Sequence, residues 1–240
     1  MNEVSPSDQL ITIEDVTSEL HKAFDIFNNH FFAGILPVPA ITIQTNKNNR
    51  NAMGWCSTVP NWGTKDGKHQ MYELSLAAEF LDLDFFETMD TLLHEMVHLY
   101  HKVKGIKDTS RKGEYHNKIF RDKVLELGFE YSDNRPHPRM GWTFARIGPA
   151  LKECISKMDI NQKIFSISKR GYMYFQLLAD GKTPEQAAQI CESSEQQPAL
   201  LKTKSKSHKW LCPNCEIRVI SYKENVNIVC GDCNETLVKR

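Results

Sequence analysis

The sequence predicts an α+β fold in which helices pack on a small sheet and a small C-terminal module is built on four cysteines. Three observations predict it. Apolar residues recur at helical spacing from Val16 to Phe31 and again around His94 to His98. Short alternating stretches lie between these helices, Ala40 to Gln44 being the clearest. Cys212-x-x-Cys215 and Cys230-x-x-Cys233 stand near the C-terminus, with fourteen residues between the pairs.

The first helix should start after Thr12, an N-cap, with Val16, Leu20, Phe24, Phe27 and Phe31 as its apolar stripe and Gly34 and Pro37 as its stop. Met53 to Ser57 and Met71 to Leu76 read as further short strands, joined by a polar loop with Pro60, Gly63 and Gly67. Asp84 and Glu87 have the D-x-x-E spacing of a helix N-terminus. The helix that follows is apolar on two sides, through Met89, Leu92, Met96 and Val103 and through Phe86, Leu93, Val97 and Tyr100. It should be buried in a core and end near Gly105.

A Lys- and Gly-rich loop, Lys102 to Gly113, leads to a helix predicted over Glu114 to Leu127 and closed by Gly128. The stretch 135–139 must be irregular. Tyr172 to Leu178 and Pro184 to Cys191 read as helices, the second with Thr183 and Gln186 as a capping box. Glu192 to Ser207 reads as a polar linker. The division expected is a core over 1–145, a helical insert and linker over 146–209, and the cysteine module over 210–240.

Composition excludes some classes. Of the 240 residues, 40% are hydrophobic and 25% charged, which is ordinary for a globular chain. Thirty basic and thirty acidic residues cancel, so net charge argues for no nucleic-acid partner. No run approaches the ~18 apolar residues of a membrane span. Met1 to Leu10 lacks the layout of a signal peptide. An intracellular, cytoplasmic setting is expected, with nucleoid or nucleus also compatible. The dispersed Cys56, Cys154 and Cys191 read as packed free thiols, not a disulfide framework.

Chemistry enters with His94-Glu95-Met96-Val97-His98, which spells H-E-x-x-H. Two imidazoles one helical turn apart can hold one Zn²⁺, and the carboxylate beside them can take a proton from water at the metal. A catalytic zinc usually takes three protein ligands. His101 is excluded, because seven helical residues span roughly 10 Å, too far for His94 and His101 to share an ion. Lys104 stands where a metzincin-type third His would fall. His116 is the better candidate, since Phe120, Val124 and Leu127 continue its stripe inward; Glu114 is the alternative. Glu95 is the expected general base. Tyr115, His101 and His137 are candidates for a second oxyanion donor. The four cysteines have the spacing of a structural Zn(Cys)₄ ribbon, with Val219 to Tyr222 and Val226 to Val229 as its strands. Two Zn²⁺ are expected, one catalytic and one structural.

These features in order resemble the SprT-like zinc metallopeptidases, the Spartan-related family. They are the first helix running into Phe31-Phe32-Ala33-Gly34-Ile35-Leu36-Pro37, then Tyr72-Glu73-Leu74-Ser75, Leu92 to His98, His116-Asn117-Lys118-Ile119-Phe120, and the four-cysteine ribbon. The resemblance covers roughly 14–145 and 210–238. It implies a zincin-like core, metal ligands His94, His98 and His116, and the catalytic acid Glu95. Three features depart from it: Asn117 stands where the family usually has Gly, the loop before His116 is long and basic, and 146–209 has no counterpart.

The resemblance also implies action on proteins held on or crosslinked to DNA. Two basic elements fit that. One is Lys102, Lys104, Lys107, Arg111 and Lys112. The other runs from Lys202 to Lys223, six basic residues against one acidic, with Trp210 available for stacking on a base. Lys102, Lys104, Arg111, Lys112, Lys209 and Trp210 are therefore the expected nucleic-acid contacts. A protein substrate, a DNA partner and no membrane follow. Two other readings are a non-catalytic zinc protein that binds nucleic acid and keeps a vestigial peptidase core, and a peptidase dedicated to one regulatory protein.

Overall fold

Thr12 caps the first helix, α1 (Ile13–Phe31), through a closed capping box: its side chain accepts from Asp15 N, and Asp15 Oδ2 accepts from Thr12 N at 2.8 Å. The fold is that of a computed structural model describing residues 10–45, 52–195 and 207–239. Val16, Leu20, Ala23, Phe24 and Phe27 are fully buried along one face of α1. Each of the larger ones contributes on the order of 1.5–3 kcal/mol by leaving water. Gly34, at φ +71°, reverses the chain. The Asn28 side chain fixes the return by donating to Leu36 O at 3.0 Å and accepting from Leu36 N at 3.1 Å.

The chain then enters β1 (Ala40–Gln44), β2 (Gly54–Cys56), β3 (Trp62–Gly63), β4 (Gln70–Met71) and β5 (Glu73–Ala77). β5 is central, parallel to β1 with Ile41 opposite Leu74 and antiparallel to β2 with Trp55 opposite Ser75. Among the described residues β2 pairs on one side alone. The loop expected around Pro60 to Gly67 carries a small ladder instead, β3 on β4.

The long buried helix is α2 (Phe85–Val103). Asp84 caps it by accepting from Phe86 N at 2.9 Å. Glu87 does not close the expected box; its carboxylate takes the Arg146 guanidinium at 2.8 Å. Met89, Leu92, Leu93, Met96 and Val97 are fully buried, which agrees with two apolar sides, while Val103 at the C-terminal end is exposed.

The next segment corrects the sequence reading. Glu114 to Leu127 is not one helix. Thr109–Ser110 (β6) pairs with Tyr115–His116 (β7), and helix α3 runs over Lys118–Leu127. Asn117 is the reason: its side chain accepts from Ile119 N and Phe120 N, and its own N–H bonds Asp108 O at 2.9 Å. Gly128, at φ +100°, closes α3 as expected.

Regular structure continues past 145. β8 (Phe129–Glu130) pairs with β9 (Arg146–Ile147), and α4 (Pro149–Ser156) follows. Ile147, Leu151, Ile155, Ile160 and Phe165 belong to the same core as α1 and α2. The chain divides into two compact units, Met1–Lys169 and Arg170–Arg240.

Inside the core, Asp90 accepts from Ile147 N at 2.9 Å and is 5% exposed. Burial pushes its carboxyl up to about 6 from 3.8, against the pull of that bond and of Arg146. A raised carboxyl stabilises the fold below its unfolded value and loses that contribution as pH rises through its folded value. Asp90→Asn should therefore match the parent near pH 4 and exceed it at pH 8 by up to about 3 kcal/mol in urea unfolding. Equal unfolding free energies for the two proteins at both pH values would contradict this.

In the second unit, α5 (Tyr172–Ala179) and α6 (Pro184–Glu195) form a helical pair. Thr183 and Gln186 make the expected reciprocal cap. Residues 196–206 of the expected linker, including Lys202, Lys204 and Lys206, lie outside the described residues. The ribbon's sheet is β10 (His208–Leu211) between β11 (Arg218–Ser221) and β12 (Val238–Lys239). Val226 to Val229 is not a strand; Val229 makes a single bridge to Thr236. No helix among the described residues is long and apolar enough to cross a membrane.

Candidate active site and metal centres

His94 and His98 project from α2, and His116 reaches them from β7. The expected residue comes from a strand, not from the following helix. Its backbone is clamped by β6 and by the 137–142 loop: His116 N donates to Met140 O at 3.0 Å, and Trp142 N donates to His116 O at 3.0 Å. His94 Nε2 lies 3.2 Å and His98 Nε2 3.0 Å from His116 Nε2. The three donor atoms lie within 4.8 Å of one another, so the group could hold a metal ion. The spacing fits zinc, whose nitrogen ligands at about 2.0–2.1 Å in a tetrahedron stand roughly 3.3 Å apart.

The surroundings keep His94 and His116 in the form a metal needs. Burial, reinforced by the neighbouring imidazoles, holds His94 well below the usual histidine range. Burial brings His116 to about 4. Both are therefore neutral, and a neutral imidazole is the ligand form. Phe120, fully buried on α3, packs its ring 4.7, 4.8 and 4.6 Å from the rings of His94, His98 and His116. It forms an apolar floor under all three.

Glu95 shares the helix turn and is 5% exposed. Burial pushes its carboxyl up to about 7, against the pull of His98, Lys102 and a bond from the Cys56 N–H. That bond comes from β2, and Gly54 is what lets β2 lie so near. A Cβ at Gly54 would stand 2.6 Å from Thr91 Cγ2 and 3.1 Å from Glu95 Cγ.

Glu114, the alternative third ligand, is exposed and lies 4.0 Å from Arg139 instead. Of the oxyanion candidates, His101 is 3% exposed with its Nδ1 on Asp108, 3.1 Å away. The Tyr115 ring carries the Arg111 guanidinium at 4.6 Å. His137 Nδ1 accepts from Met140 N at 3.1 Å, which leaves its Nε2–H as a donor. Two residues near the site escaped the sequence reading, Asp108 and Gly141. Both act through contacts distant in sequence, and no local pattern marks either one.

In the ribbon, Cys212, Cys215, Cys230 and Cys233 bring their sulfurs within 4.8 Å of one another. Cys215 and Cys230 are 3.5 Å apart at Sγ, near the roughly 3.8 Å that Zn–S bonds of about 2.3 Å impose. Each pair ends in a matching turn: Glu216 N bonds Cys212 O, Asn234 N bonds Cys230 O, and Glu216 and Asn234 both have φ near +57° (58° and 56°). The Cys212 thiol is drawn down to about 7, first by the Cys215 N–H. Four soft sulfur donors suit zinc.

The expected nucleic-acid residues fare differently. Arg111 is occupied, donating to Pro138 O at 2.9 Å and Arg139 O at 3.3 Å. Lys104 and Lys112 are exposed, and Lys102 is half-buried. Trp210 is half-buried. It packs with Val219 against Cys212, Cys230 and Leu237, and its Nε1 is enclosed. Lys209 lies on the opposite face, exposed and in register with Ile220.

A family model described as the SprT-like family matches residues 20–140, just over half of the 240 residues. No curated protein and no solved structure matches the chain.

Proposed function

The chain belongs to the SprT-like family, and from that footing we propose that it is a zinc-dependent metallopeptidase. The observation that carries this is the convergence of three Nε2 atoms beside one buried carboxylate, Glu95. His94, His98 and His116 would hold the ion. Zinc there supplies Lewis acidity, which polarises a peptide carbonyl and brings the pKa of water towards about 7.

The chain's own residues do the rest. Glu95 takes a proton from the attacking water at a carboxylate oxygen and returns it to the leaving amine. The Cys56 N–H keeps that carboxylate aimed. Phe120 shields the imidazoles from solvent on one side. The side of β2 left unpaired among the described residues suits an extended peptide, which would add as a further strand next to Glu95. Tyr115 or His137 remains to steady the oxyanion.

The Zn(Cys)₄ ribbon is a structural site whose metal drives the folding of a module with a very small core. Proteins held on DNA are the substrate class we favour. Exposed Lys104 and Lys112 on the first unit and Lys209 on the ribbon's outer face support it. Arg111 and the half-buried Trp210 also have partners within the chain. The test is cleavage of an unfolded protein and of a DNA-bound protein by the zinc-loaded chain. Fragments that vanish with a chelator support the proposal. Intact substrates at every zinc level would favour the vestigial core.

A further inference from the structure

We propose that Asp108 is the positioning residue of the three-histidine site, turning the His98 Nε2 lone pair towards the metal. The inference rests on reading those imidazoles as a zinc site. Asp108 lies in the loop between α2 and β6 and is 2% exposed. Its Oδ2 lies 2.6 Å from His98 Nδ1 and 3.1 Å from His101 Nδ1. An ionised carboxylate can only accept, so both ring nitrogens must donate. With the proton of His98 on Nδ1, its Nε2 is bare, and this is the atom 3.0 Å from His116 Nε2. A carboxylate behind a ligating imidazole fixes tautomer and ring orientation and raises the ligand's basicity.

The same residue reaches the third histidine through its backbone. Asp108 O accepts the N–H of Asn117, next to His116, at 2.9 Å. Asn117 Nδ2 donates to Lys107 O at 2.8 Å, and Thr109 is in register with His116. One loop residue therefore holds a ligand on α2 by its side chain and the strand bearing another by its main chain. His101 braces the carboxylate from one turn further along α2. That gives the histidine excluded as a ligand a defined task.

The experiment is zinc affinity by chelator competition in the full chain, with the ribbon zinc as internal reference. Asp108→Ala should weaken the three-histidine site 10–100-fold and Asp108→Asn about tenfold, since the amide accepts without charge. His101→Ala should weaken it by less than Asp108→Ala. The ribbon should keep its zinc in all three. The visible band of Co²⁺ at the histidine site should shift in the Asp108 variants. Affinities within twofold of the parent in both Asp108 variants would overturn the proposal. Should Asp108→Ala fail to fold, Asp108→Asn decides alone, parent-like affinity being the overturning result. A parent that takes up zinc only at the ribbon would overturn the metal reading itself, and this inference with it.

Discussion

Glu95→Gln should lower peptide hydrolysis by the zinc-loaded protein by about 10²–10⁴-fold, the usual weight of a positioned general base. The fold should survive. A neutral amide is easier to bury than a carboxylate, and Gln can still accept the Cys56 N–H. Zinc content should also survive, because no ligand is touched. The loss should therefore fall on turnover, with far-ultraviolet dichroism and metal content unchanged. Activity within tenfold of the parent would mean that another group moves the proton.

Gly141→Ala should cost about 3 kcal/mol or more and strip the histidine site of its metal. Gly141 has φ +69°, where a side chain is strained. The larger obstacle is contact. An added Cβ would stand 2.1 Å from His116 O and 3.0 Å from His116 N. Nothing near it can yield cheaply, since the neighbour is backbone pinned by Met140 O and Trp142 N. Gly141 is itself tied to His137 by two bonds, 2.8 and 2.9 Å. The strand carrying His116 would have to part from the 137–142 loop. Gly113→Ala is the control: φ is +98°, but no heavy atom lies within 4 Å. It should cost only the conformational strain, about 1–2 kcal/mol. Urea unfolding and metal content separate the two. Equal, small losses at both positions would contradict the clash.

Where local rules govern, the sequence was a good guide. The cap at Thr12, the stripe on α1, and the two-sided α2 follow from spacing alone. His116 was chosen from the apolar residues after it, although they lie on a helix that His116 precedes. Asn117 was the missed signal. As an N-cap it starts α3 just after His116 and leaves His116 in extended backbone. Asp108 is a lone acid in a lysine-rich loop, and its meaning comes only from α2 folding back over it. Residues 140–167 were obscure because β9 is two residues long and buries Ile147 through a partner at 129. In the ribbon, the first strand precedes the first cysteine pair, and the two C-x-x-C motifs drew the eye to what lay between them.

The most direct measurement is zinc per chain in the parent, His116→Ala and Cys212→Ser proteins. The account predicts about two in the parent and about one in each variant, with His116→Ala keeping the ribbon ion and Cys212→Ser the histidine ion. A His116→Ala protein that still carries both ions would contradict it.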